Sequence, residues 1–310
     1  MRVSMFSNRI YLLLLFLSFQ ACIPEEDPVA PFDRGDMNTE SLDMGLRFSK
    51  MIFYSLSEQK IIDSCELEAW DLFLEEDKIS LNPSRFMSAA RVGNIDFDEQ
   101  SDTLGLIFTY DPSTGSGDFA LKANDELYVL NMGISGMGDG LGFLKLKIKD
   151  EGSHYLLRYA DLNEDSIQSL KLDKGQHYSI GTQQEYDLLD RSEYDFVFTR
   201  YPYFFELEQL HYLVTGTLSG DIEVLEVNDF AFEEIDYAFY EERSNDLSDD
   251  LDVIGYDWKE YNFDDTFYYV QETKSFIIRD AKGFVYKMRF TSYYDEKGES
   301  GHPSFEYILL

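Results

Sequence analysis

Residues 70–74 read Trp-Asp-Leu-Phe-Leu, and residues 194–198, which lie 124 positions later, read Tyr-Asp-Phe-Val-Phe. Both stretches are short and combine aromatic with aliphatic side chains, a pattern typical of β-strands. At the same offset and without a gap, residues 54–56 (Tyr-Ser-Leu) match residues 178–180 (Tyr-Ser-Ile). These stretches predict a chain of strands in which one β unit occurs twice.

The similarity continues towards the C-terminus in the same order, while the spacing drifts by a few residues. Because one β unit cannot cover its own apolar face, the two units are expected to pack on each other. We therefore predict an all-β fold with little helix, in which antiparallel sheets of two related halves, about 46–172 and 173–310, form one body. A groove between the halves is then the default ligand site. Chance similarity between strands of like composition is the alternative. The further matches are residues 93–95 with 220–222 and residues 155–159 with 286–290.

Most of the chain after residue 44 reads as short strands bounded by Gly, Asp, Asn, Ser or Pro. One stretch differs, because residues 248–254 predict a short helix with Ser248 as its N-cap and Gly255 ending it.

The first 21 residues have the parts of a bacterial signal peptide. Two arginines precede an apolar run at residues 10–17, which is well short of the ~20 residues of a membrane-spanning helix. Ala21 then stands directly before Cys22, which resembles a lipobox. We predict that residues 1–21 are a lipoprotein signal peptide and that Cys22 is lipidated. Ordinary secretory cleavage, with Cys22 uninvolved, is the alternative.

Residues 22–44 predict a lipidated cysteine followed by a flexible acidic tether, because prolines and acidic residues cannot build a core. A diacylated cysteine is a stable two-chain membrane anchor, so the outer membrane is the expected location. The acidic residues 25–27 resemble the export signal of Bacteroidetes lipoproteins, which implies the face towards the cell exterior. With Cys22 acylated, Cys65 has no disulfide partner in the chain, and we predict it to be a buried apolar thiol.

The chain carries 60 acidic and 26 basic residues, for a formal net charge of -34. Such a charge repels phosphate backbones and argues against nucleic acid as a partner. Solubility is the preferred interpretation of the charge.

Catalytic motifs are missing from the sequence, including His-Glu-x-x-His, Gly-x-Ser-x-Gly and a phosphate-binding loop. We therefore predict no catalytic residues and interpret the chain as a binding module rather than an enzyme. The four histidines are not paired at metal-ligand spacing, so no structural metal site is predicted. The glycine-rich residues 133–142 predict a close-packed loop or, alternatively, a pocket rim that presents Met137.

Several strand signatures resemble those of the HmuY-like lipoproteins of Bacteroidetes, and the resemblance covers most of residues 46–310. It implies an all-β protein that binds haem between β elements through two axial side chains, histidine or methionine, and passes haem to an outer-membrane receptor. The stretches that carry the resemblance are residues 69–74, 194–201, 212–216, 255–258 and 284–293.

On this resemblance we expect His154 and His177 as the pair of haem ligands, with Met137 as a substitute. The predicted function is a surface-exposed outer-membrane lipoprotein that captures haem. The alternative is a non-haem binding or assembly lipoprotein of the same fold, which recognises a glycan or a protein partner through exposed aromatic side chains.

Overall fold

A computed structural model describes residues 35–164 and 166–310 of the chain. The predicted signal peptide, the predicted lipidation site Cys22 and the part of the predicted tether up to residue 34 lie outside the described residues. The prediction of a flexible tether over residues 22–44 is wrong at its C-terminal end, because Asn38–Ser41 form a strand and Leu42 and Met44 are buried in the core. The unit from Gly35 to Leu310 is compact. In the part of the chain that is described, no helix is both long enough and apolar enough to cross a membrane.

Antiparallel strands are the main regular structure of the described residues and helix is scarce, which confirms the predicted all-β class. The strands are β1 (Asn38–Ser41), β2 (Lys50–Ser55), β3 (Lys60–Glu66), β4 (Leu72–Leu74), β5 (Ile79–Leu81), β6 (Ser88–Gly93), β7 (Asn124–Asn131), β8 (Phe143–Asp150), β9 (His154–Asp161), β10 (Gln168–Asp173), β11 (Gln176–Ser179), β12 (Gln184–Tyr186), β13 (Phe196–Phe205), β14 (Leu210–Ser219), β15 (Glu223–Asn228), β16 (Lys259–Asn262), β17 (Phe267–Val270), β18 (Lys274–Arg279), β19 (Val285–Tyr294) and β20 (Ser300–Leu309).

Four sheets contain all of these strands except β16 and β17, which form a separate hairpin. We call them sheet I (order β1-β20-β19-β18-β15), sheet II (β10-β9-β8-β7-β6), sheet III (β14-β13-β2-β3) and sheet IV (β12-β11-β4-β5).

The large sheets pack on the small sheets in two separate cores. Tyr54 and Phe196 of sheet III share one core with Phe305 of sheet I, and the ring centroids of Tyr54 and Phe305 are 5.2 Å apart. Leu72 of sheet IV shares the second core with Leu157 of sheet II. Each small sheet therefore uses one face to bury aromatic and aliphatic side chains against a large sheet.

Sheet III is also buried on its other face. Met51, Phe53, Val197 and Tyr201 alternate with the residues that face sheet I, and they form a third apolar cluster. A strand that is covered on both faces reads as a continuous apolar run rather than an alternating one. This explains why β2 and β13 are apolar along most of their length.

The strand registers of the small sheets follow the offset of 124 found in the sequence. In sheet III, Tyr54 pairs with Phe196, and in sheet IV, Leu72 pairs with Tyr178. Adding 124 to Tyr54 gives Tyr178, and subtracting 124 from Phe196 gives Leu72. Each small sheet thus joins a strand of one half to a strand of the other half.

Two buried aspartates repeat the same contact at this offset. Asp71 accepts a hydrogen bond from the amide of Ile180 at 2.7 Å. Asp195 accepts one from the amide of Leu56 at 2.6 Å. Equivalent side chains therefore make equivalent bonds across the two small sheets.

The large sheets have corresponding strand orders if β1 and β10 are taken as the first strands of two units, because each then lies beside the last strand of the other unit. β1 pairs with β20 and β10 pairs with β9. We propose that the chain contains two equivalent units that exchange their first strands, with each unit beginning at β1 or β10. Each unit then begins slightly before the boundary that the sequence predicts.

The prediction of a helix at residues 248–254 is wrong. Ser248 donates to and accepts from the backbone of Val224 at 2.9 and 2.8 Å, and the amide of Leu251 donates to Thr114. These tertiary bonds use backbone groups that a helix would pair internally. The α-helix of the described residues, α1, is Tyr237–Arg243 instead, and Asp236 caps its N-terminus.

Candidate functional site

An apolar cavity of about 150 Å³ lies among residues of the two small sheets and of the loops next to them. Sheet III contributes Phe53, Val197 and Tyr201 to its wall, and sheet IV contributes Phe73 and His177. The faces that do not pack on the large sheets thus meet here.

His177 is held in this wall by two aromatic rings. The imidazole stacks on Phe73 with ring centroids 4.0 Å apart and planes at 3°, and it meets Trp70 edge to face at 4.8 Å. The stacking follows from strand register, because His177 and Phe73 are direct partners on β11 and β4. The site therefore fixes the imidazole before any ligand arrives.

Burial keeps the His177 imidazole uncharged. The side chain lies in an apolar wall, which disfavours the imidazolium and lowers the pKa of His177 to about 4. Its nitrogens make no hydrogen bond with any residue that the structure describes. A neutral imidazole with an unused lone pair is the form that coordinates a metal.

At the offset of 124, His177 stands where the other small sheet has an apolar side chain. Its equivalent is Phe53, and the equivalent of Trp70 is Tyr194. Phe53 meets Tyr194 edge to face at 4.9 Å, as His177 meets Trp70. An imidazole therefore takes the place of a phenyl ring beside an equivalent edge-to-face ring, and only the imidazole offers a nitrogen donor.

Three further polar atoms on the cavity-lining residues have no partner among the described residues. They are buried in the walls, and burial raises the pKa of the Tyr201 hydroxyl well above its ordinary value. Buried donors normally find an acceptor, so these atoms can supply hydrogen bonds to a ligand. They are the indole nitrogen of Trp70 and the hydroxyls of Tyr201 and Ser219.

Charged groups lie at the edge of the cavity. Asp111 accepts hydrogen bonds from the amides of Leu81 and Ala120 at 2.6 and 2.8 Å, and burial raises its pKa to about 6. Lys78 lies 4.7 Å above the ring of Phe119. The rim can therefore carry charge of either sign, while the interior is apolar.

The other two predicted ligands lie away from this cavity. His154 begins β9 in sheet II, and its Nε2 is 3.1 Å from Oε2 of Glu151. Met137 lies in the glycine-rich loop with 58% of its surface exposed, and its carbonyl accepts from Arg47. Neither residue lines the cavity. The structure does not bring His154, His177 and Met137 together.

The ring partners and unpaired donors of the wall were not expected from the sequence. Trp70, Phe73 and Tyr201 lie in strand signatures, where they are indistinguishable from core residues. The available signal was the repeat itself, because the alignment of Phe53 with His177 marks the one imidazole in an aromatic position. Comparison of the two halves would have favoured His177 over the other histidines.

These features define an all-β protein with an apolar cavity between two paired sheets. The model of the HmuY protein family matches residues 48–307, so the chain belongs to the HmuY family and the expected resemblance is confirmed. No curated protein matches the sequence of this chain.

Several solved structures are similar over nearly their whole length, at low identity. Apo PinO from Porphyromonas gingivitis is 8% identical with a TM-score of 0.36, and covers 89% of this chain and 98% of its own. The apo HmuY analogue of Tannerella forsythia is 10% identical with a TM-score of 0.28 and the same two coverages. A protein of Bacteroides vulgatus, provisionally named as a HmuY-like heme-binding protein, is 12% identical with a TM-score of 0.26, and covers 89% of this chain and 95% of its own.

Proposed function

We propose that this chain is an outer-membrane lipoprotein, anchored through Cys22 and facing the cell exterior, that captures haem with His177 as an axial ligand. The observation that carries the haem assignment is the neutral, unbonded imidazole of His177 in an aromatic wall. Membership in the HmuY family supports a binding role, and one similar structure is of a protein named for heme binding.

The residues of the cavity fit haem in chemistry. Haem needs apolar surroundings and one or two axial donors, and His177 supplies a nitrogen donor between aromatic rings. His154 and Met137, which were expected as further ligands, do not line this cavity, so the proposal assigns one axial ligand, His177. Transfer to an outer-membrane receptor completes the proposed function.

The size of the cavity favours a second candidate, a ligand smaller than haem. A cavity of about 150 Å³ is the size that holds a benzene ring, whereas pockets for larger ligands measure roughly 300–1,000 Å³. The unpartnered donors of Trp70, Tyr201 and Ser219 would suit a single aromatic ring that carries a hydrogen-bond acceptor.

Haemin titration of the purified full chain in detergent tests the first candidate. We expect a shifted, saturable Soret band that is lost in His177→Phe, because phenylalanine keeps the ring volume and removes the nitrogen. His154→Ala and Met137→Ala, which lie outside the cavity, should leave the band unchanged, and His211→Ala is the matched control. An unaltered band in His177→Phe contradicts the assignment of His177.

A thermal-shift series with acetophenone tests the second candidate, because this probe has one ring and one carbonyl acceptor. Saturable stabilisation by acetophenone without a Soret shift by haemin supports the smaller ligand. Loss of that stabilisation in Tyr201→Phe would show that the Tyr201 hydroxyl donates the hydrogen bond to the carbonyl of the probe.

A further inference from the structure

A second group of ligand-type side chains lies on the hairpin that joins β19 and β20, apart from the cavity. The group consists of Asp295, Glu299 and His302, and their ligand atoms all lie within 4.8 Å of one another. The three residues come from the turn and from the first part of β20. The hairpin therefore brings together an imidazole and two carboxylates.

Backbone hydrogen bonds fix the position of the Asp295 carboxylate. Its Oδ1 accepts from the amides of Lys297 and Glu299 at 2.9 and 2.8 Å. Because Oδ1 accepts the two hydrogen bonds of the turn, Oδ2 is the oxygen that can bind an ion.

The position of His302 is fixed by its chain neighbours. The carbonyl of Gly301 accepts from the amide of Met44, and the carbonyl of Pro303 accepts from the amide of Leu42, both at 3.0 Å. These two bonds hold His302 beside the segment that follows β1. The imidazole is therefore presented from a paired strand rather than from a free loop.

A third carboxylate lies next to the imidazole because of this pairing. Asp43 stands between Leu42 and Met44, and its Oδ1 is 4.0 Å from Nε2 of His302. Asp43 therefore adds negative potential beside the group, which favours a cation over an anion.

We propose that Asp295, Glu299 and His302 bind a divalent transition-metal ion. One imidazole and two carboxylates suit Zn²⁺ and its first-row neighbours, whose bonds to such donors measure about 2.0–2.2 Å. Donor atoms up to 4.8 Å apart need only small side-chain rotations to close on one ion. Water or Asp43 completes the coordination. The site is independent of the proposed haem site.

Cobalt titration of the full chain in detergent tests this proposal, because Co²⁺ replaces Zn²⁺ and absorbs visible light when bound. We expect one saturable absorbing site that Zn²⁺ displaces. Glu299→Gln and His302→Gln should each weaken it at least about tenfold, the order of loss expected for a disturbed metal site. Asp295 is left unchanged because it holds the turn.

The matched control is His211→Gln, which removes a histidine that packs against Tyr110 and Phe204 and is not part of this group. It should leave the cobalt site unchanged. Thermal unfolding in EDTA, with equal midpoints for parent and variants, shows that the hairpin still folds, and Zn²⁺ should raise the midpoints of the parent and the control more than those of the two ligand variants. Equal cobalt binding in the parent and in both ligand variants overturns the proposal, because the acidic surface then holds the ion in general.

Discussion

Replacement of His177 by phenylalanine should make the protein less sensitive to acid. The pKa of His177 falls from its ordinary 6.5 to about 4 on folding, and one pKa unit corresponds to ~1.4 kcal/mol. The unfolded chain therefore takes up the proton first as the pH falls. This protonation of the unfolded chain lowers the free energy of unfolding. The loss is negligible above about pH 6.5 and reaches about 3 kcal/mol at about pH 4.

Urea unfolding measures this loss by comparing how the free energy of unfolding changes with pH in the parent and in the variant. The free energy of unfolding is determined for the parent and for His177→Phe at about pH 7.5 and about pH 4.5, where most of the cost is present. We expect the parent to lose about 2–3 kcal/mol more than the variant between the two pH values. Other titrating groups, such as Asp111, contribute equally to both proteins and cancel.

The reciprocal variant Phe53→His is the matched control, because Phe53 has the equivalent place in the other unit. It should add an acid-sensitive loss of the same sign. An identical pH dependence in the parent and in His177→Phe would refute the reasoning, since the imidazole would then not be buried in its neutral form.

Two further predictions concern buried groups outside the ligand wall. Asp71 forms a buried ion pair with Arg85, so Asp71→Asn should lower the free energy of unfolding by about 3–5 kcal/mol in urea. The equivalent Asp195→Asn, which leaves no arginine unpaired, should cost only about 1–3 kcal/mol, and equal losses would contradict the role of the ion pair. Burial raises the pKa of the Cys65 thiol to about 12, so iodoacetamide should modify it only after unfolding. Rapid modification of the folded chain at neutral pH would show that the thiol is accessible.

Local pattern was sufficient for the strands but not for the helix. Residues 72–74 and 196–198, the apolar parts of the two matching stretches, both form strands, because their composition favours a pleated, half-buried surface. Residues 248–254 contain a helix start and stop signal, yet Ser248 bonds to β15 instead. Tertiary hydrogen bonds outweigh such weak local preferences.

The histidines show that local sequence was also insufficient to predict the ligand site. His154 and His177 both stand at strand starts, and nothing in their immediate neighbours separates them. Only the pairing of β11 with β4 stacks His177 on Phe73, while the turn before β9 gives His154 a glutamate partner. The ligand hypothesis for each histidine thus depends on residues that are distant in the chain.

Strand composition and side-chain alternation are local properties, so the all-β class, the family resemblance and the offset of 124 can be read from the amino-acid sequence alone. The faces that meet in the cavity, and the position of Asp43 beside the hairpin that carries Asp295, Glu299 and His302, could not be read from it. Strand register and sheet order set these contacts, because they depend on pairing between strands that are distant in the chain.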